Sequence, residues 1–146
     1  LKYYFVKLST IIIKTQIIKF YKFNPKYNII GDYDSIIRIS EKYKGMGFQN
    51  NLAYIRIHKD NFTHNNRKIF FKEFKYWEKR QNYKNIYFKN NKSKILERLN
   101  YLKLIYLLLN KKNAKLITDI MRYPFGYLKI KLLIIYFKPI LFYSCT

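Results

Sequence analysis

The chain predicts an α/β fold followed by a helical extension. Three observations carry that expectation. Residues 8–13 (Leu-Ser-Thr-Ile-Ile-Ile) form a β-branched run, which reads as a strand. Residues 52–58 approach apolar/polar alternation, the period of a half-buried strand. Between and after them, apolar residues recur every three or four positions, as on helix faces.

The elements follow in order. After the strand at 8–13, residues 15–21 suit a short helix or turn. Residues 23–30 contain Asn24-Pro25 and read as a loop. Gly31 breaks the chain, Asp32 can cap, and Asp34 falls in a first turn, where negative charge is favoured. Tyr33, Ile36, Ile37 and Tyr43 keep helical spacing to about residue 43, and Gly45 and Gly47 end it. Phe48 and residues 52–58 read as strand. Residues 64–80 read as an amphipathic helix, with Phe70, Phe74 and Trp77 on one face. Residues 81–92 are a polar, Tyr-rich linker. Ser93 caps a helix over 94–110, with Leu96, Leu99, Leu102 or Lys103, and Tyr106 along one side. Two more helices follow at 114–123 and 127–137, stopped by Pro124 and Pro139. The chain thus divides into residues 1–80, a linker at 81–92, and a basic amphipathic tail at 93–146.

Composition excludes several classes. The 146 residues carry 30 Lys+Arg against 8 Asp+Glu, a formal charge of +22. Aromatics make up 20%, too many for a wholly disordered chain. One cysteine, Cys145, permits no internal disulfide, and two histidines without a cysteine nearby argue against a structural zinc site. Lys, Asn, Ile, Tyr and Phe dominate, a set with A/T-rich codons, so abundant Lys does not by itself select a polyanionic partner. The charge favours nucleic acid, anionic lipid or phosphorylated substrates without choosing among them. No signal-peptide pattern is present, and Lys or Asn interrupts every apolar run well short of the roughly 20 residues of a spanning helix. There is no internal repeat. The first residue is Leu1, and the expectation is a fragment that begins inside a larger protein.

Two constellations carry chemistry. In Gly31-Asp32-Tyr33-Asp34-Ser35, an acid at a helix start stays ionised and can accept a proton from a hydroxyl. Asp34 and Arg38 are four apart and can pair on the helix face. The plain alternative is an N-cap with a surface ion pair. In Arg56-Ile57-His58, a strand places a guanidinium and an imidazole on one face, which suits a diphosphate. Asn61 and Thr63 follow in the next loop. The alternative there is a sheet-edge pair without a ligand.

Taken together, Ser9-Thr10-Ile11-Ile12-Ile13-Lys14, residues 23–34, Arg38-Ile39-Ser40, residues 52–58 with Asn61 and Thr63, and the helix from Phe70 to Trp77 resemble the C-terminal half of a family 2 glycosyltransferase domain. These are inverting enzymes of the GT-A type, and the resemblance covers roughly residues 8–80. It implies a partial GT-A, Rossmann-like sheet with helices. It also implies transfer of a sugar from a nucleotide-diphosphate donor to an acceptor hydroxyl with inversion, in polysaccharide or cell-surface glycan synthesis. The family's catalytic base falls on Asp32, supported by Asp34 and Arg38. Gly31 stands where many members have Glu. Arg56 and His58 fall near the donor diphosphate and metal, and Ser9 and Thr10 on the acceptor side. A divalent ion, Mg²⁺ or Mn²⁺, is expected for a full-length enzyme. The family's metal-binding Asp-x-Asp is absent, because Asp32-Tyr33-Asp34 matches the base motif instead. The isolated chain is therefore expected to be inactive.

The implied partners are a nucleotide-sugar, a glycan or lipid-linked acceptor, and an anionic membrane surface met by residues 93–146. The implied place is the cytoplasm, at the inner face of its membrane. The competing reading is a basic protein that binds nucleic acid or a membrane surface without catalysis. Lys is spread along the whole chain rather than in one stripe, which argues against specific nucleic-acid recognition.

Overall fold

A computed structural model describes residues 8–48, 53, 54, 56, 62–83, 85–110 and 114–143. Among them the regular structure is helical and no strand is present, which overturns the α/β, GT-A-like expectation. A 3₁₀ turn spans Leu8–Thr10. Seven α-helices follow: α1 Thr15–Phe20, α2 Gly31–Ser40, α3 Phe62–Asn65, α4 Arg67–Lys79, α5 Ile86–Asn110, α6 Ala114–Met121 and α7 Tyr127–Tyr143.

The expected strand at 8–13 instead forms the 3₁₀ turn and a non-regular stretch, with Ile12 95% exposed. A β-branched run favours a strand only where a pleated, half-buried surface receives it. No neighbouring strand among the described residues offers that surface. Of the expected strand at 52–58, Ala53, Tyr54 and Arg56 are described and are irregular. The rest, with His58 and Asn61, lies outside the described residues, and Phe48 is non-regular.

The α2 reading holds in place but not in detail. The helix begins at Gly31, not after it, and Ile30 occupies the N-cap position without a side-chain cap. It ends at Ser40, where the Ser40 hydroxyl donates to the Ile37 carbonyl, competing for an acceptor of the last turn. The 64–80 helix appears as α3 and α4, with Phe74 and Trp77 buried as the spacing requires.

The linker is the larger correction. Residues 86–92 belong to α5, and Ser93 lies inside that helix rather than capping it. Polar composition misled here. No Gly or Pro interrupts residues 86–110, and Phe88 is buried against Trp77 with ring centroids 6.2 Å apart. Packing of one aromatic outweighs weak local propensity. The buried face of α5 also shifts: Ile95, Tyr101, Leu102, Leu104, Ile105 and Leu108 are inside, whereas Leu96 is exposed.

Helix α6 stops at Met121, slightly earlier than expected, and α7 runs past Pro139 to Tyr143. A mid-helix proline removes one backbone hydrogen bond without always ending the helix.

Helix α5 packs against α4, α6 and α7. One buried cluster joins Ile30, Tyr33 and Ile37 of the α2 region to Phe74 and Trp77 of α4, to the buried face of α5, and to Leu116, Ile120, Leu128 and Leu132. The apolar core is therefore continuous across residue 80.

Candidate functional site

Asp34, Ser35 and Glu73 are the buried polar side chains among the described residues; Glu73 of α4 bonds the segment just before α2, and Asp34 of α2 bonds Trp77 of α4. The start of α2 lacks a local side-chain cap. Glu73, on α4, supplies one across the fold. Its Oε1 accepts the Asn28 N–H at 2.8 Å, and its Oε2 accepts the N–H groups of Ile29 at 2.9 Å and Ile30 at 3.2 Å. Three consecutive donors thus converge on one carboxylate at the positive end of a helix, where anions are favoured.

Asp34 forms the second tie. Its Oδ1 accepts the indole N–H of Trp77 at 3.1 Å, and its Oδ2 accepts Arg38 Nε–H at 3.0 Å. The expected Asp34–Arg38 pair is therefore present. Arg38 also donates to the Lys22 carbonyl at 2.8 Å and to Ser35 Oγ at 3.1 Å, which fastens the loop after α1 to α2. Trp77 sits in an aromatic nest, 5.0 Å from Tyr33 and 5.4 Å from Phe74 between ring centroids.

Asp32 stands apart from these ties. It is half-buried in the first turn of α2, and its Oδ1 accepts the Tyr33 N–H at 2.7 Å. It does not occupy the N-cap position. Asp34 is already paired with the Arg38 guanidinium, whose positive charge opposes a divalent cation beside it, so Asp32-Tyr33-Asp34 does not fit a chelating pair for Mg²⁺ or Mn²⁺. No group of three His, Cys, Asp or Glu that could hold a metal occurs among the described residues.

Of the other expected site residues, His58 lies outside the described residues, and those that are described are not gathered here. Ser9 and Thr10 lie exposed in the 3₁₀ turn, Arg56 is exposed in non-regular chain, and Thr63 is exposed in α3. Ser35 belongs to the expected 31–40 constellation, whereas Glu73 lies outside both constellations. The signal for Glu73 was available: it falls in the apolar stripe marked by Phe70, Phe74 and Trp77, in a chain with eight acids.

A second cluster joins α4 to α5. The Arg98 guanidinium lies 5.8 Å from the Phe70 ring centroid and 5.5 Å from that of Tyr101. Burial lowers its pKa from the ordinary arginine value, and the nearby Arg67 charge adds to the decrease. Burial raises the phenol of Tyr123, as do the charge and hydrogen bond of Glu97. An open groove of about 200 Å³ between α5 and α6 is lined by Asn100, Lys103, Leu104, Asp119 and Arg122, none of them an expected catalytic residue.

Comparison of the chain with protein-family models, curated proteins and solved structures finds no match in any of the three.

Proposed function

We propose that the first turn of α2 is the proton-accepting element of a sugar-transferring enzyme, with Asp32 as the base. The observation that supports this is the division of labour among the three carboxylates. Glu73 and Asp34 are spent on fixing the α2 start, while Asp32 sits half-buried beside them with only its Oδ1 bonded to the adjacent Tyr33 N–H. A carboxylate on a rigid, buttressed turn is what positioned base catalysis requires.

In the proposed reaction an acceptor hydroxyl oxygen attacks the anomeric carbon of a nucleotide-sugar. The new C–O bond forms as the bond to the diphosphate oxygen breaks, with inversion. The hydroxyl proton passes to Asp32, and the nucleoside diphosphate leaves with the bonding electrons. Asp34 and Arg38 act on the turn that carries Asp32 rather than on the sugar. Arg56 and His58 belong to this proposal as the diphosphate side, and Ser9 and Thr10 as the acceptor side. The donor set at Asp32 and Asp34 does not fit a divalent ion, so no step is routed through one.

The test is nucleotide-sugar turnover by the polypeptide read from the whole reading frame. The panel of donors covers uridine, guanosine and thymidine diphosphate sugars. Asp32→Asn should lower kcat by about 10²–10⁴, the usual worth of a positioned base, with an unchanged thermal midpoint. Full activity in that variant, or no turnover of any donor by the parent, would sink the reading.

A further inference from the structure

We infer that the outer face of α7 is a docking surface for an anionic lipid bilayer. Helix α7 is apolar on two opposite sides. Leu128 and Leu132 are buried against the bundle, with Ile135 and Tyr136 packed partly against the same core. On the other side Tyr127, Ile130, Ile134 and Phe137 follow a 3-4-3 spacing and remain 68%, 47%, 58% and 41% exposed. A helix that is apolar all round is ordinarily covered all round. This one is covered on a single face among the described residues.

Phe125, in the turn before α7, is exposed, as is Met121 at the end of α6. Lys129 Nζ donates to the Met121 carbonyl at 2.6 Å, tying the α7 start to the α6 end. Exposed large apolar side chains grouped in this way mark an interaction surface.

Charge selects the occupant. Residues 114–143 contain Lys115, Arg122, Lys129, Lys131 and Lys138 against Asp119 as the sole acid. Lys115, Arg122 and Lys131 are exposed. Near an anionic leaflet each basic residue contributes about 1 kcal/mol, and lysine stems lie along apolar surface while their ammonium groups reach polar headgroups. Tyr127 has the amphipathic ring favoured at that boundary. A second copy of the chain is a poorer match, because each carries +22 and the two repel. No helix in the described residues is long and apolar enough to cross a membrane, so α7 lies along the surface.

The test is flotation of the full chain with vesicles of phosphatidylcholine alone, and of equal parts phosphatidylcholine and phosphatidylglycerol. It is run at low salt and at about 1 M salt, where the Debye length falls to about 3 Å. The parent should float with the anionic vesicles and stay partly bound at high salt. The double variant Ile130→Lys/Ile134→Lys raises the net charge by two while removing apolar contact. It should lose at least about tenfold of the salt-resistant partition, given the worth of burying an isoleucine side chain. The milder Ile134→Ser should lose part of it. Helical circular dichroism and Trp77 emission check the fold of both variants. Three results overturn the proposal: binding of the Lys variant as tight as the parent's, no binding to anionic vesicles, or a parent dimer in ultracentrifugation that the Lys variant abolishes.

Discussion

Replacing Glu73 should unfasten the start of α2. Its carboxylate holds three backbone N–H groups, two on Oε2 and one on Oε1. Alanine removes both acceptor oxygens and with them all three bonds. Ile30 is 2% exposed, so its N–H cannot turn to water, and a stranded buried donor costs about 1–3 kcal/mol. Ile29 is half-buried and recovers part of its hydration, whereas exposed Asn28 recovers most. With the charge-assisted character of the bonds and the favourable field of the helix start added, Glu73→Ala should cost about 3–5 kcal/mol. Glutamine keeps one oxygen able to serve two N–H groups but sets its own NH₂ against the third, so Glu73→Gln should cost about 1–2 kcal/mol. Urea unfolding followed by the emission of Trp77, the chain's single tryptophan, measures both. With a slope of about 2 kcal/mol/M, the alanine midpoint should fall by about 1.5–2.5 M. Both variants within about 0.5 kcal/mol of the parent, the range of ordinary surface changes, would refute the idea that this carboxylate caps α2.

Two other outcomes follow from the same core. Trp77→Phe removes the indole N–H from Asp34 Oδ1 and leaves space among Tyr33, Phe74 and Phe88, so it should cost about 2–4 kcal/mol by circular dichroism in urea; a shift under about 0.5 kcal/mol would contradict it. The phenols of Tyr101 and Tyr123 are raised from the ordinary value of 10.0, mainly by burial, so above pH 10 the unfolded chain releases protons that the folded chain retains. Stability should therefore be flat on this account below pH 10 and fall above it, by at most about 1.4 kcal/mol per pH unit per tyrosine, and Tyr123→Phe should reduce the slope.

Helix positions were legible where residues alone decide them. Phe70, Phe74 and Trp77 predicted α4, and the Asp34–Arg38 spacing predicted their ion pair. Boundaries and partners were less legible, because distant residues set them. Asp32 looked like the cap of α2, but the cap is Glu73, 43 residues from the Ile30 it holds. Ser93 looked like a helix start, but the burial of Phe88 carries α5 back to Ile86. The run at 8–13 has strand composition, and composition cannot say whether a neighbouring strand exists to pair with it. The candidate site was half legible: Asp32, Asp34 and Arg38 follow from local spacing, whereas the Glu73 and Trp77 supports depend on how α4 meets α2.

The Glu73 clamp also bears on the order of events during synthesis. Ile30 is made long before the carboxylate that holds its amide. At about 5–20 residues per second, the nascent chain spends a few seconds with α2 emerging and its anchor still untranslated. Over that interval Ile30, Tyr33 and Ile37, all interior in the finished molecule, have no α4 to lie against. A ribosome-bound chaperone would find its window there, closing when Glu73 and Trp77 clear the exit tunnel.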